Sequence, residues 1–330
     1  NSMVLVLRQQ DLRQVLTVEA CIEAVEDAFA SLAHGEARLP PRSVLTVDEV
    51  NGWVAVMSAL LGGESKACAA KIVTSHPMNR TRGLPTVMGM ITYLDPDTGM
   101  PLAIMEGSYI TALRTAAASA VATKYLTRED AEVLGVFGAG WQAYWQVEAL
   151  KTMRSFRKIK VYDPNPAQRT KFTSHFKVST DPPIMTVASP REAASDSDVI
   201  VTATNSKTPV VEGRWIAPGT HVNGIGSHHP DVRELDSDLI ARSKLVVDHE
   251  EAALREAGDL IIPIGEGIIT SKHIYGQLGE IAAGMKPGRT NPAEITVFKS
   301  VGIAIQDVAV AKVAYDAAKK TGVGLEVSFD

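Results

Sequence analysis

Three basic side chains in the first 115 residues have apolar or small neighbours. Arg42 follows two prolines, Lys71 lies inside the apolar run 69–73, and Arg114 lies in an alanine-rich stretch. A lysine in a buried strand needs a partner or a shifted pKa. Because arginine binds carboxylates in a bidentate manner, the three cations could converge on the carboxylate of a small substrate. Each could equally be a surface charge or half of a structural ion pair.

A glycine loop with the spacing G-x-G-x-x-A runs from Gly138 to Ala143, between an apolar run and a helical pattern. Gly138 permits a tight turn, and Gly140 lets the backbone approach a pyrophosphate. Asp163 follows about 20 residues later and would bind the adenosine ribose, which favours NAD over NADP. Arg169 could weaken this preference. The alternative is a tight strand–helix turn that holds no ligand.

Residues 224–231 follow an apolar run in the second half of the chain and include two adjacent histidines. In open α/β sheets the ligand crevice lies beyond the carboxyl ends of the strands, so this segment is a candidate wall of the site. His228 is its candidate substrate contact. No carboxylate or cysteine completes a ligand spacing around the histidines, so we expect no metal.

The elements that must position these residues follow two patterns. An apolar stripe predicts a helix at 17–34, and an alanine-rich helix is expected at 108–126. Between them, β-rich runs separated by turn signals predict a mostly antiparallel sheet with strands at 43–47, 53–60, 67–75, 86–94 and 102–106.

After residue 131 strands and helices alternate, which predicts a parallel, doubly wound sheet of the Rossmann type. The predicted strands are 132–137, 158–163, 198–204, 221–225 and 244–248, and the predicted helices are 142–153, 166–176 and 302–319. The fold class is therefore α/β with an N-terminal α+β domain. We expect a substrate-binding and dimerisation domain at 1–118, with a C-terminal helix in 303–330 packing back on it, and a dinucleotide-binding domain at 119–302.

Composition excludes several classes of function. The chain has 330 residues, 45% hydrophobic and 22% charged, with a net charge of −5, so no basic surplus points to nucleic acid. Its two cysteines exclude a disulfide framework and favour a reducing compartment. No apolar run reaches the ~18 residues of a spanning helix. We expect a cytoplasmic protein without a membrane or nucleic-acid partner.

Several segments, in chain order, resemble the ornithine cyclodeaminase/μ-crystallin family. They are KIVTSHP at 71–77, GLPT at 83–86, LDPDTG at 94–99, ALRTAAA at 112–118, the glycine loop, GQLGE at 276–280 and TVFKSVG at 296–302. The resemblance implies a homodimer built on the N-terminal substrate domain, with a Rossmann domain for the cofactor.

The resemblance also implies roles for particular residues. By position, Arg42, Lys71 and Arg114 match the cations that bind the substrate carboxylate in the family. Two of them, Lys71 and Arg114, also match its catalytic residues. The positions that match the cofactor loop, the ribose site or segments lining the cofactor are Gly138, Ala139, Gly140, Trp141, Gln142, Asp163, Arg169, Thr204, Ser206, Ser227, Lys299 and Ser300.

The family divides by activity. Its cyclodeaminases and archaeal-type alanine dehydrogenases carry an aspartate in the loop after the fifth strand, where this chain has His228. It therefore looks more like the ketimine-reductase branch. The predicted reaction is NAD(P)H-dependent reduction of Δ1-pyrroline-2-carboxylate to L-proline, or of Δ1-piperideine-2-carboxylate to L-pipecolate. The alternatives are an NAD-dependent L-amino-acid dehydrogenase of the alanine type, an ornithine cyclodeaminase and a non-catalytic binder of small ligands.

Overall fold

The computed structural model describes residues 3–176 and 182–328. The chain divides into two compact units. The first unit comprises Asn1–Arg114 and Ile303–Asp330, and the second unit comprises Thr115–Gly302. The predicted domain boundary after residue 118 lies four residues beyond this division. The roles assigned to the two domains stay predictions.

The elements are numbered here in chain order. The strands are β1 (Met3–Leu7), β2 (Ser43–Val47), β3 (Gly52–Leu61), β4 (Ala67–Ser75), β5 (Val87–Leu94), β6 (Pro101–Glu106), β7 (Val133–Phe137), β8 (Lys158–Tyr162), β9 (Ile184–Thr186), β10 (Val199–Thr202), β11 (His221–Gly224), β12 (Lys244–Val247), β13 (Ile274–Gln277), β14 (Thr296–Lys299) and β15 (Leu325–Ser328). The α-helices are α1 (Gln9–Val15), α2 (Val18–Ala33), α3 (Gly107–Leu126), α4 (Trp141–Met153), α5 (Pro166–His175), α6 (Pro190–Ala194), α7 (Ser237–Arg242), α8 (Glu250–Glu256), α9 (Gly258–Gly265), α10 (Leu278–Ala282) and α11 (Ala304–Thr321).

The first unit is built on a seven-stranded sheet in the order β15-β1-β6-β5-β4-β3-β2. Strands β2 to β6 pair antiparallel in sequence order, and β1 pairs parallel with β6. Helix α11 packs on β3, β4 and β5, and α2 packs on α11. We call the sheet face beneath α11 the inner face and the opposite one the outer face. The inner face is where the first unit places its core.

Local signals account for the limits of α2. The Thr17 side chain accepts a hydrogen bond from the amide of Ala20 at 3.2 Å, which caps the amino end. Gly35 follows the carboxyl end with φ +75°, a conformation that favours glycine. Between these signals Ile22, Val25 and Phe29 are buried along one stripe. The predicted helix at 17–34 is confirmed.

The second unit is built on an eight-stranded parallel sheet in the order β13-β12-β14-β11-β10-β7-β8-β9. Strand β7 lies between β8, which follows it in sequence, and β10. The strand order therefore reverses at β7, and in such sheets a ligand binds beyond the carboxyl ends at the reversal. Apolar side chains of β7, β8, β10 and α4 form the core on one side of the sheet. The predicted fold class is confirmed.

The end of the C-terminal segment differs from the prediction. The helix predicted at 302–319 is observed as α11, but the chain continues after Thr321 into β15, where the segment 303–330 was expected to hold only a helix. Gly322 and Gly324 have φ values of +70° and +107°, which turn the backbone out of the helix. Strand β15 then pairs antiparallel with β1, so both ends of the chain complete one sheet. Composition and spacing also missed β1, whose short apolar run carries no turn signal of its own.

Candidate active site

Lys71 lies in the middle of β4 on the inner face of the first unit's sheet. Its cross-strand neighbours are Met57 on β3 and Ile91 on β5, both buried. Side chains alternate between faces along a strand, so residues 69, 71 and 73 all point to the core. The Lys71 side chain is 1% exposed. An ammonium in such a place must find charged or polar partners.

Helix α11 supplies the counter-charge. Asp307 Oδ1 lies 2.8 Å from Lys71 Nζ and 3.1 Å from Arg114 Nε, so one oxygen joins both cations. Arg114 Nη1 donates to Gln306 Oε1 at 2.6 Å, and Lys71 Nζ donates to Thr111 Oγ1 at 3.3 Å. The structure thus brings Lys71 and Arg114 together, through a carboxylate that lies 193 residues beyond Arg114 in the sequence.

The electrostatics of this cluster suit proton exchange near neutral pH. Burial lowers the pKa of Lys71 to about 7. The charge of Asp307 opposes this shift, whereas the positive charges of Arg114 and Arg42 reinforce it. Arg42, which precedes β2 and is half-buried, therefore also acts on the cluster. All of these groups belong to the first unit.

Two buried polar atoms at the cluster have no hydrogen-bond partner within residues 3–176 and 182–328. They are Asp307 Oδ2, an acceptor, and Gln306 Nε2, a donor. An unpaired polar atom inside a protein costs free energy, and such atoms often mark a place that water or a ligand completes. Sequence reasoning missed both residues. The available signal was a polar pair, Gln306-Asp307, inside the apolar stretch 303–311.

The glycine loop connects β7 to α4 in the second unit. Gly138 has φ +93°, and a Cβ there would lie 2.5 Å from the carbonyl oxygen of Ala203. Gly140 caps α4 without a side-chain hydrogen bond, and a Cβ on it would meet no atom within 4 Å. The loop therefore requires glycine at the first position for its fold, and leaves open space beside the helix amino end at the second. This arrangement fits a bound pyrophosphate.

The predicted ribose acid lies beside that loop. Asp163 follows β8, and its Oδ2 accepts a hydrogen bond from the amide of Ala139 at 3.1 Å. Arg169 turns back to donate to the backbone carbonyl of Asp163. Gln142 Oε1 is buried without a hydrogen-bond partner in the described ranges, and Trp141 is 44% exposed. Asp163, Arg169 and the glycine loop therefore lie together, and contacts of these residues, Trp141 and Gln142 with a cofactor stay predictions.

Glu234 is a second acid that sequence reasoning missed. It is fully buried, and its carboxylate accepts hydrogen bonds of 2.7 Å from the hydroxyl of Thr202, the amide and hydroxyl of Thr204 and the amide of Gly226. It thereby joins the loops that follow β10 and β11. Ser206 is tied to the same group, since its amide donates to Thr204 Oγ1 at 3.1 Å. Burial raises the pKa of Glu234.

The other predicted cofactor residues take part in internal contacts. Ser227 Oγ donates to the Val232 carbonyl at 2.6 Å, and Ser300 Oγ donates to Asp248 at 2.9 Å. Lys299 Nζ lies 2.9 Å from Asp259 Oδ2, and both side chains are fully buried. Their contacts with a cofactor stay predictions.

His228 lies at the surface of the second unit. Its Nδ1 is 3.2 Å from the Gly226 carbonyl, and its ring packs against His229 at 4.8 Å. A substrate contact for His228 therefore also stays a prediction. Within the ranges that the structure describes, no group of three or more His, Cys, Asp or Glu side chains is arranged to hold a metal ion. No helix in those ranges is long and apolar enough to span a membrane.

Comparison with known proteins identifies the family of the chain. A sequence model of the ornithine cyclodeaminase/mu-crystallin family matches residues 3–322. The chain belongs to the ornithine cyclodeaminase/mu-crystallin family. The resemblance drawn from the sequence motifs is confirmed.

Three relatives illustrate the activities found in the ornithine cyclodeaminase/mu-crystallin family. The structure of Thermococcus litoralis Δ(1)-pyrroline-2-carboxylate reductase in complex with NADH and L-proline is 47% identical, with a TM-score of 0.95, covering 98% of this chain and all of that one. Alanine dehydrogenase of Archaeoglobus fulgidus is 40% identical over 325 residues, 98% of each chain. An archaeal alanine dehydrogenase dimer with bound NAD is 38% identical, with a TM-score of 0.94 over the full length of both chains.

Proposed function

We propose that the protein is an NAD(P)H-dependent reductase of cyclic ketimine 2-carboxylates. The substrates are Δ1-pyrroline-2-carboxylate, reduced to L-proline, and its six-membered homologue Δ1-piperideine-2-carboxylate, reduced to L-pipecolate. One observation carries the proposal: the buried group of Lys71, Arg114 and Asp307 in a chain 47% identical to a pyrroline-2-carboxylate reductase that binds NADH and L-proline. That group offers cations for a carboxylate and a proton donor for an imine nitrogen.

The cofactor of the proposed reaction is NADH. Its support is the open space beside Gly140 at the amino end of α4, together with Asp163 next to the loop. A carboxylate at the ribose site repels the 2′-phosphate of NADPH, so NADPH is the poorer cofactor of the two. When bound, the reduced nicotinamide supplies a hydride to the carbon of a C=N bond.

The chain's own residues bind the substrate and move the proton. Arg114 and Arg42 bind the 2-carboxylate, because guanidinium groups match its geometry. Lys71, with a pKa of about 7, donates a proton to the imine nitrogen. The carbon gains the hydride and its two electrons, the nitrogen gains the proton, and Lys71 is left neutral until it takes a proton from solvent.

The test is the loss of reduced-nicotinamide absorbance with each cyclic imine, with NADH and NADPH compared. We expect turnover with at least one ring size and a higher kcat/KM with NADH. Lys71→Met should lose this turnover, and Lys66→Met is its matched control, because Lys66 is exposed and pairs with Asp97 in the same unit. Absence of turnover with both imines would overturn the proposal.

Alanine dehydrogenase is the second candidate, because the Archaeoglobus fulgidus enzyme is 40% identical over nearly the whole chain. That activity would reduce pyruvate with ammonium, or oxidise L-alanine with NAD⁺. The same cations would bind the carboxylate of pyruvate. Rates with pyruvate plus ammonium and with the preformed cyclic imines, measured on one preparation, separate the two candidates.

We also propose that the protein is a homodimer joined through the outer face of the first unit's sheet. Leu45, Val56, Ile72, Met88 and Met90 share that face, and each is at least 40% exposed in the single chain. A continuous apolar face of this kind is unusual on a monomer. The dimer of the archaeal alanine dehydrogenase supports the proposal.

A further inference from the structure

We propose that Asp307 is a positioning residue for imine reduction: through one carboxylate oxygen it fixes the Lys71 ammonium and the Arg114 guanidinium and keeps Lys71 charged as the proton donor. The inference rests on the proposed function. The inference adds to the proposed function by naming the group that decides whether Lys71 carries a proton.

The geometry makes Asp307 the common point of the cluster. Its Oδ1 lies 2.8 Å from Lys71 Nζ and 3.1 Å from Arg114 Nε. All three side chains are 7% exposed or less, so water screens these contacts little. Arg114 is held on its other edge by Gln306 Oε1 at 2.6 Å. Adjacent residues of α11 therefore orient both nitrogen groups.

The charges around Lys71 show why Asp307 is needed. Helix α3 contributes Arg114 and the neutral Thr111, and the segment before β2 contributes Arg42. Strands β3 and β5 place only the apolar Met57 and Ile91 directly opposite Lys71. Asp307 on α11 is the counter-charge that acts on Lys71, against burial and two positive neighbours. Without it, Lys71 would lose its proton at a lower pH.

The pH profile of kcat/KM for the cyclic imine tests this role, with Asp307→Asn and Asp307→Ser as neutral variants. Activity that needs protonated Lys71 is lost as pH rises through the lysine pKa. In both variants we expect that loss at least one pH unit lower than in the wild type, and kcat/KM at about pH 8 at least roughly tenfold lower. Titration of the substrate is common to all variants and cancels in the comparison.

Control variants distinguish a positioning role of Asp307 from a general loss of folding or cofactor binding. Asp316→Asn changes an acid of the same helix that is exposed and pairs with Lys312, and its pH profile should match that of the wild type. NADH affinity, measured by fluorescence, should stay within about threefold in every variant. A pH profile of Asp307→Asn that coincides with the wild-type profile, even with a lower kcat or melting temperature, would overturn the inference.

A readout without turnover keeps the inference distinct from the proposed function. The lysine Cε resonance that disappears in Lys71→Met reports the titration of Lys71 by NMR, and its midpoint should fall by at least one pH unit in Asp307→Asn. This test holds even if the wild type reduces no imine. If neither neutral variant folds, each substitution is combined with Lys71→Met in a double variant. Recovery of folding there supports the inference, and continued failure to fold overturns it.

Discussion

A lysine enclosed in the inner face of a sheet exchanges its proton at a pH where a lysine in water stays charged. Burial lowers the pKa of Lys71 to about 7 from the ordinary 10.5, against the opposing charge of Asp307. Two consequences follow at the scale of the residue. One concerns turnover, and the other concerns the pH dependence of stability.

Lys71→Met should lower kcat at least about a hundredfold, because the imine nitrogen loses its proton donor. The affinity for NADH should change less than about threefold, since the cofactor loop lies in the other unit. Asp307 keeps its pairing with Arg114, so the variant should remain folded. Stopped-flow turnover, NADH fluorescence titration and melting temperature are measured together. A folded variant with wild-type kcat would remove Lys71 from the mechanism.

The stability of the wild type relative to Lys71→Met should rise with pH between about 7 and 10.5. In this window the unfolded chain binds a proton at Lys71 that the folded chain does not, so the free energy of unfolding increases with pH. The slope should reach up to about 1.4 kcal/mol per pH unit. Below pH ~6 both states are protonated and the difference should level off. Urea unfolding of both proteins across this range provides the measurement, and a flat difference would contradict it.

At the scale of the element, short loops at the carboxyl ends of β7, β10 and β11 carry most of the second unit's candidate site. The first loop depends on two glycines with different tasks. The other two loops depend on one buried carboxylate, that of Glu234. Because the tasks differ, stability and cofactor binding should respond separately to substitution.

Gly138→Ala should lower the stability of the fold, whereas Gly140→Ala should lower the affinity for NADH. At Gly138 the φ of +93° and the Ala203 carbonyl 2.5 Å from an added Cβ should destabilise the fold by at least about 1–3 kcal/mol. At Gly140 an added Cβ meets nothing, so stability should change by less than about 0.5 kcal/mol. NADH affinity of Gly140→Ala should nevertheless fall more than roughly tenfold, because the methyl group takes the space of the pyrophosphate. Chemical denaturation and fluorescence titration measure both effects.

Glu234→Gln should lower the free energy of unfolding by about 1–3 kcal/mol. The backbone amides of Thr204 and Gly226 donate to opposite carboxylate oxygens, and an amide side chain can accept from only one of them. Thr202→Val removes a single hydroxyl donor and should cost less. Urea unfolding compares the variants at one pH. Equal stability of Glu234→Gln and wild type would show that the loops are held by other contacts.

At the scale of the whole molecule, four neighbouring strands of the seven-stranded sheet leave apolar side chains exposed on the outer face. The five exposed apolar residues of that face come from four neighbouring strands, so they form one surface rather than scattered positions. A second copy of the chain would bury this surface. The association of two chains should therefore depend on the residues of the outer face.

Val56→Glu should convert the proposed dimer to a monomer, because a charge at the centre of the outer face would be buried without a partner on association. Ile268→Glu is the control, since Ile268 is similarly exposed but lies in the second unit. Analytical ultracentrifugation at micromolar concentration distinguishes the two states. A wild type that sediments as a monomer, or a Val56→Glu variant that stays dimeric, would contradict the proposed interface.

Local sequence was sufficient for the strands from 43 to 106 and for one half of the candidate site. Turn signals and alternation placed the strands from 43 to 106 within one residue of their observed ends, because the physical causes act between near neighbours. The glycine loop and Asp163 are likewise close in sequence, and strand–turn–helix geometry brings them together.

Only the tertiary structure decided which acids serve the site. Asp307 approaches Lys71 from 236 residues away, and Glu234 joins loops from two strands, so spacing along the chain carries no trace of either contact. The pairing of β15 with β1 is of the same kind. Burial decides the charge state of Lys71, and burial depends on a helix from the opposite end of the chain. The sequence therefore identified the cations by residue type. Their partners and the protonation of Lys71 depend on tertiary packing.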